Sequence, residues 1–430
     1  GLHPVTNPEA VLQLTARDVL KSSSVRRMLT SSSAFYVGVM LQAATLGKHI
    51  FDITGRAIDI GWLGLAEFAP IALLVLVSGS VADRFNRKHV AAIALAGELM
   101  CALALVGYSL SIKGVENPAV WPFFVIGIVF GCCRAFLSPA VRSMYPMVAP
   151  DGGLPPIIAM SSAVWTSAMI IGPAASGLLY SIDPWMPYAT TALLTLIGII
   201  GIMRVQFLRE PPPRDPNEKV TVRSAMEGLH FVRRTPILLA VISLDLFAVL
   251  FGGAVALLPV IAEEQLGVGD VAYGWLRAAG GIGAASMAVF LAMRPLRRNV
   301  GRSLLIAVGV FGLATIVLGD TSSYIVAFIA VLVLSAADMV SVFIRGSIVP
   351  LVTPDEKRGR VSAVENVFIG ATNELGAFES GVASQAFGTP ATVIGGGVAT
   401  IAIVGVWWIG FPALRKIDRF SDLETSKNPA

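Results

Sequence analysis

Twelve apolar stretches of about twenty residues each, separated by short polar joints, run from Ser33 to about Leu414. A stretch of that length crosses the hydrocarbon core of a bilayer as a helix, because only a helix satisfies its own backbone N–H and C=O groups where no water is available. The chain therefore reads as an all-α integral membrane protein with spans near 33–53, 60–82, 89–111, 119–141, 157–180, 184–206, 237–261, 271–293, 302–319, 322–348, 361–386 and 390–414. Composition agrees: charged residues are 14% and hydrophobic ones 55%, too apolar for a core wrapped in a water-facing surface.

The formal net charge of +4 is not the footprint of a nucleic-acid binder, because the basic residues sit in joints rather than along one face. They set topology. The N-terminal tail (Arg17, Lys21, Arg26, Arg27) and the even-numbered joints (Arg84, Arg87, Lys88; Arg204 to Arg234; Arg294, Arg297, Arg298, Arg302; Lys357, Arg358, Arg360) hold nearly all of them. The odd-numbered joints have little beyond Arg56 and Lys113, and one is acidic (Glu263, Glu264, Asp270). The positive-inside rule then places both termini in the cytoplasm, in a multi-pass protein of the inner membrane. Cys101, Cys132 and Cys133 lie inside apolar stretches, and His3, His49, His89 and His230 lack ligand spacing, so neither a disulfide framework nor a metal site is expected. No cofactor, no nucleic-acid partner and no cleavable signal segment are expected, and the protein is read as a monomer in the lipid bilayer.

The longest joint opens with Pro211-Pro212-Pro213 and ends in Ser224 to Arg234, a flexible strap followed by a short basic amphipathic helix. It divides the chain into an N-terminal tail and six-helix half at 1–206, a linker at 207–236 and a C-terminal half and tail at 237–430. The halves echo one another. Pro146-Met-Val-Ala-Pro150-Asp151 recurs as Pro350-Leu-Val-Thr-Pro354-Asp355, and Gly172-Pro-Ala-Ala-Ser176-Gly177 as Gly376-Ala-Phe-Glu-Ser380-Gly381, both at an offset of 204 residues. Gly61-Trp62-Leu63 and Gly274-Trp275-Leu276 add a further pair. A duplicated six-helix unit is the architecture of a transporter that rocks two halves about a midplane site.

After the second span stands Gly79-Ser-Val-Ala-Asp83-Arg84-Phe-Asn-Arg87-Lys88. It resembles the signature of the major facilitator superfamily between the second and third helices, with Asn86 where the family usually has glycine. The resemblance implies twelve helices in two pseudo-symmetric bundles and makes Gly79, Asp83, Arg84, Arg87 and Lys88 a gating motif. With the periplasmic side open, Asp83 is expected near Arg142 and the amides around Ser362. Within the superfamily the chain resembles the enterobactin-exporter, or transmembrane secretion effector, branch through Phe51-Asp52-Ile-Thr-Gly55, Arg134-Ala-Phe-Leu-Ser-Pro139-Ala-Val-Arg142, Ile171-Gly172-Pro173 and Asp245-Leu-Phe247. Gly172, Pro173 and Gly177 are similar to the antiporter motif of drug/proton exporters. The same residues also read as a packing kink.

Ionisable groups inside spans mark a cavity or a partner, since each costs roughly 2.5–3.5 kcal/mol on insertion scales. Lys48, Arg134, Asp245, Asp338 and Arg345 come from the first, fourth, seventh and tenth spans, and Glu67, Arg277 and Glu374 from the second, eighth and eleventh. Asp338 and Arg345, seven residues apart, share a helix face; Glu365, Thr372 and Glu379 form a polar stripe with Asn366 and Asn373 beside it. Lys48, Arg134, Asp338, Arg345, Asn373 and Glu379 are expected to line the cavity. Asp245, Glu374 and Glu67 are the proton-coupling candidates, Asp245 and Glu374 ahead of the rest. For Arg134, Arg277 and Arg345 a helix-locking ion pair is the competing role, and for Glu98 a packing role.

Neither a phosphate-binding loop for an ATP-driven pump nor a catalytic constellation is present in the sequence, which excludes an ATPase and an enzyme. The expected function is secondary transport by alternating access: proton-driven export of a small organic molecule, siderophore-like or drug-like. A lipid or lysolipid flippase and a nutrient symporter are the alternatives. The mixed lining suits a polar, partly aromatic substrate, with Arg134 or Arg345 able to hold an acidic group.

Overall fold

The computed structural model describes residues 15–208 and 222–424, except the side chains at 75–77, 79, 80, 82–84, 222–225, 355, 356, 358, 359, 363 and 424. Among these residues, twelve long helices follow the apolar stretches: α1 (Ser23–Thr54), α2 (Ala57–Arg84), α3 (Arg87–Ser111), α4 (Trp121–Val148), α5 (Leu154–Tyr180), α6 (Met186–Met203), α7 (Pro236–Phe251), α8 (Asp270–Met293), α9 (Val300–Asp320), α10 (Tyr324–Val352), α11 (Asp355–Phe387) and α12 (Thr389–Gly410). A basic helix, Val222–Arg234, precedes α7. The polyproline strap lies outside the described residues.

Four elements depart from the expected spans, one of them α4, which runs on to Val148 rather than ending near 141. Helix α1 begins at Ser23 rather than near Ser33, and its polar first turns are tied down by Arg27, whose Nη1 donates to the Arg204 carbonyl at the end of α6 over 2.9 Å. Helix α11 begins at Asp355, directly after Pro354, whose fixed φ suits a helix start. The seventh span is not one helix. It breaks at Gly252, passes through a 3₁₀ turn at Gly253–Leu257 and ends in a π-type turn at Ile261–Gln265. Gly253 lies so close to α11 that a Cβ would stand 2.7 Å from the Gly376 carbonyl oxygen, and this approach is why the break carries glycine.

Ten of the described helices, counting the broken seventh span as one, are long and apolar enough to cross a membrane; α1 and α11 are too polar for that test. Those two pack across the molecule rather than only against lipid. Around the outside, Leu73, Ile93, Met100, Met293, Ile325 and Ile409 are exposed, an apolar surface that suits hydrocarbon and not water.

The packing repeats with a pseudo-twofold relation. The contacts α1·α5, α1·α6, α2·α4, α3·α4 and α3·α6 have their counterparts in α7·α11, α7·α12, α8·α10, α9·α10 and α9·α12. Two further contacts, α2·α11 and α5·α8, join the groups and are each other's counterparts. The repeated glycines noted in the sequence form this seam. A Cβ on Gly177 would stand 2.7 Å from the Gly274 Cα, one on Gly61 2.7 Å from the Phe378 Cα, and one on Gly381 3.0 Å from the Ala57 carbonyl oxygen. Backbones meet there with no room for a side chain.

The seam closes only one end. It extends from Gly381 and Gly177 to Gly370, which meets Phe68, and Gly281, which meets Met169 and Ile170. Further along the same helix faces, toward the end where α1 starts and α12 finishes, Ile158, Ser162 and Trp165 of α5 and Asn366 and Val367 of α11 are exposed. The bundle is thus shut at one end and open at the end bearing the basic joints, called the basic side below.

Candidate functional site

The shut end is crossed by charge. Lys48 of α1, itself buried, bonds Asp52 one turn on, reaches Glu263 Oε2 after α7 at 2.9 Å and lies 3.5 Å from Asp270 Oδ1 at the start of α8. The Tyr180 hydroxyl donates to Asp52 Oδ2 over 2.8 Å, and Tyr273 OH donates to the Ala44 carbonyl across the same seam at 3.0 Å. One ammonium thus holds carboxylates from both groups of helices. Lys48, expected to line the cavity, lies in this charge cluster at the shut end.

At mid-depth, Arg134 Nη1 of α4 stands 3.5 Å from Glu67 Oε2 of α2. The Glu374 carboxylate, on α11, lies directly over Gly64 of α2, so it sits in the seam, within electrostatic range of Glu67, Arg134 and Arg277. Arg277 points its Nη1 at the Tyr273 hydroxyl, 3.5 Å away. Two carboxylates and two guanidinium groups therefore meet where the two groups of helices touch, which is where relative movement would change their surroundings most.

A second charged knot belongs to one group alone. Arg345 of α10 bonds Asp245 of α7 and places Nε 3.1 Å from Glu365 Oε1 of α11, and Ser341 Oγ donates to Asp245 Oδ1 over 3.3 Å. All three charged side chains are at most 15% exposed. Asp338 shares a small cavity with Asp245 and Ser341 and has no hydrogen-bond or ion-pair partner among the described residues. The expected Asp338–Arg345 face exists, yet Arg345 is taken by Asp245 and Glu365.

On the basic side the wall of α1 and α5 is aromatic: Tyr36 meets Trp165 edge-on with centroids 5.0 Å apart. In the same group of helices, Glu98 of α3 and Gln42 of α1 are buried, with neither side chain hydrogen-bonded among the described residues. The polar stripe on α11 divides. Glu365 joins the arginine knot, Thr372 bonds its own helix at the Phe368 carbonyl, and Asn373 is exposed. Glu379 is exposed beside Phe378, level with the shut seam.

The side chains of Asp83 and Arg84 lie outside the described residues, so the expected Asp83–Arg142 contact does too. At the motif's visible positions, Asn86 Oδ1 accepts from the Lys88 amide at 3.0 Å and caps α3, Lys88 Nζ donates to the Val205 carbonyl at 2.6 Å, and Arg87 lies against Met147 Sδ. An N-cap explains an asparagine where the motif usually has glycine. Arg142 is exposed. Gly172 packs on Met40 and Leu41 of α1, the Pro173 carbonyl faces Gly274, and Gly177 is the seam glycine, so these three residues hold both α5·α1 and α5·α8 together.

Gly177→Leu should therefore open the shut end. A cysteine at Ala57, which is 7% exposed, in a chain lacking Cys101, Cys132 and Cys133, should label severalfold faster with a membrane-impermeant maleimide once leucine separates α5 from α8. Unchanged labelling would mean that the two seams do not open together.

The Major Facilitator Superfamily profile matches residues 28–371, and the chain belongs to that family. Macrolide efflux protein A of Streptococcus pyogenes is 25% identical over 220 residues, covering 50% of this chain and 53% of that protein. The multidrug efflux pump Tap of Mycolicibacterium fortuitum is 25% identical over 391 residues, 86% of this chain and 91% of the pump. For several curated relatives the aligned stretch spans about half to two thirds of the relative's own length. Among solved structures, the fold is similar to that of a bacterial homolog to the human lysosomal transporter Spinster in an inward-facing, unoccupied conformation, with TM-score 0.68, 15% identity, and coverage of 95% of this chain and 99% of that one. The chain is thus a multi-pass membrane protein of that family, with the fold of its solved members.

Proposed function

We propose that this member of the Major Facilitator Superfamily is a proton-coupled exporter of a drug-like amphiphile, lying in the cytoplasmic membrane with its basic side in the cytoplasm. The state described above is then inward-facing. The observation that carries the substrate class is the pairing of the cavity arginines. Arg134 has Glu67, Arg345 has both Asp245 and Glu365, and Arg277 meets only the Tyr273 hydroxyl, whereas Asp338 and Glu374 have no cation bonded among the described residues. Five carboxylates (Glu67, Asp245, Asp338, Glu365, Glu374) thus stand against three arginines (Arg134, Arg277, Arg345) among the described site residues, and the Tyr36–Trp165 wall suits a ring system or a basic amine. Such a site favours a neutral or cationic amphiphile, in keeping with the macrolide and multidrug efflux relatives. The narrower resemblance to enterobactin exporters would call for an anionic chelate, which would have to be held by Arg277 or by an arginine released from its carboxylates.

Glu374 is the coupling residue in this reading. It sits in the seam, against the other group of helices, whereas Asp245 is locked to Arg345 and Ser341 within one group. Proteoliposomes with an imposed pH gradient, offered a radiolabelled macrolide and an iron–catecholate chelate, test both parts. The wild type should accumulate the macrolide and lose that accumulation on adding a protonophore. Glu374→Gln should abolish gradient-driven accumulation, at least tenfold, while leaving macrolide exchange near wild type. Preference for the chelate would overturn the substrate class; full accumulation in Glu374→Gln would reassign the proton.

A further inference from the structure

The helix Val222–Arg234 crosses the start of α11 so closely that a Cβ on Gly228 would stand 2.8 Å from the Arg360 carbonyl oxygen. Beside this crossing lies a cleft of about 700 Å³. Among the described residues its charged and titratable lining is His230, Arg233, Arg234, Lys357, Arg360 and one acid, Glu227. Glu227 is engaged by Arg360 at 2.6 Å. Lys357 rests 4.7 Å above the Phe231 ring, and neither Arg233 nor Arg234 has a carboxylate in bonding range among the described residues. Three permanent cations thus converge on one cleft with no acid bonded to them among the described residues.

The place of the cleft says what could fill it. Arg234 is two residues from Pro236, where α7 enters the bilayer, and Lys357 is in the first turn of α11, so the cleft stands where two spans meet the membrane surface. The helix is amphipathic there: Glu227, His230, Arg233 and Arg234 are exposed on one side while Gly228 and Val232 are buried on the other. Guanidinium groups match phosphate oxygens in pairs, and Phe231, Met226 and Leu229 give the cleft an apolar floor for a glycerol backbone. We infer that the cleft between the linker helix and α11 binds the phosphate of an anionic phospholipid from the leaflet on the basic side. The bound lipid would tie the linker to the start of α11, the helix that carries Glu365 and Glu374.

The test uses the purified full-length chain in detergent, supplied with phosphatidylglycerol or phosphatidylcholine, with retained lipid counted by native mass spectrometry. The wild type should retain phosphatidylglycerol selectively. The triple variant Arg233→Gln, Arg234→Gln, Lys357→Gln, at three exposed positions, should lose that selectivity at least tenfold, given roughly fivefold per cation at a membrane surface. The exchange Arg233→Lys, Arg234→Lys, Lys357→Arg should keep it. Equal retention by wild type and the glutamine variant would overturn the site, as would loss of selectivity in the charge-conserving exchange. Inorganic phosphate is the third probe: binding of phosphate by the wild type without preference for phosphatidylglycerol would assign the cleft to a soluble anion and overturn the lipid.

Discussion

Arg345→Met should unfold part of the bundle or leave it inactive, with a loss of about 3–5 kcal/mol, the usual result of breaking a buried ion pair from one side. The mutation leaves Asp245 and Glu365 facing each other across the space the guanidinium filled, in a site where neither carboxylate reaches water freely. A lower thermal midpoint in detergent and loss of transport are expected together. Replacing the whole knot is a different matter: Asp245→Asn, Arg345→Met and Glu365→Gln combined should recover most of the midpoint, because no charge is then left stranded. Recovery of stability without transport would show that the knot also serves the transport cycle. A single Arg345→Met variant with a wild-type midpoint would contradict the geometry outright.

The same knot shows what a sequence reveals of such a protein and what it hides. Hydropathy gave spans that agree with the helices to within a few residues at most ends, because the length of hydrocarbon to be crossed is fixed and apolar runs are easily seen. It missed the start of α1, where serines and arginines continue the helix past the apolar run, and the break in the seventh span, although Gly252-Gly253 inside an apolar stretch was a visible sign. Depth along a helix was legible, but rotation about its axis was not. Asp338 and Arg345 do share a face, yet the arginine turned to Asp245 and Glu365 on neighbouring helices, which spacing along one helix cannot foresee. The repeated glycines were visible as a repeat, and only packing gave them their meaning, since Gly61, Gly177, Gly274 and Gly381 all lie where the two groups of helices touch.

Glu263 and Asp270 had registered in the sequence only as an acidic joint, and Lys48 only as a cavity cation. Their meeting leads to the second large effect. Lys48→Gln should shift the protein toward the state open at the end now shut, because it removes the cation that, among the described residues, bridges α1 to Glu263 and Asp270, and leaves three carboxylates, with Asp52, to repel one another. Only the pairs with Glu263 and Asp270 cross the seam, and Glu263 is half-exposed, so each contributes about 1 kcal/mol or less and the ratio of the two states should move roughly tenfold. Labelling of a cysteine at Ala57 reads that ratio directly, and it should rise in Lys48→Gln but not in Lys48→Arg, whose guanidinium can still span the seam. Transport should fall sharply as well, since a protein that cannot shut one end cannot rectify a gradient. The seam glycines hold the same end by backbone contact, so Lys48→Gln and Gly177→Leu together should open it further than either alone. If Lys48→Gln left both labelling and transport at wild-type levels, the glycine seam would be the gate and the charge cluster merely its polar cover.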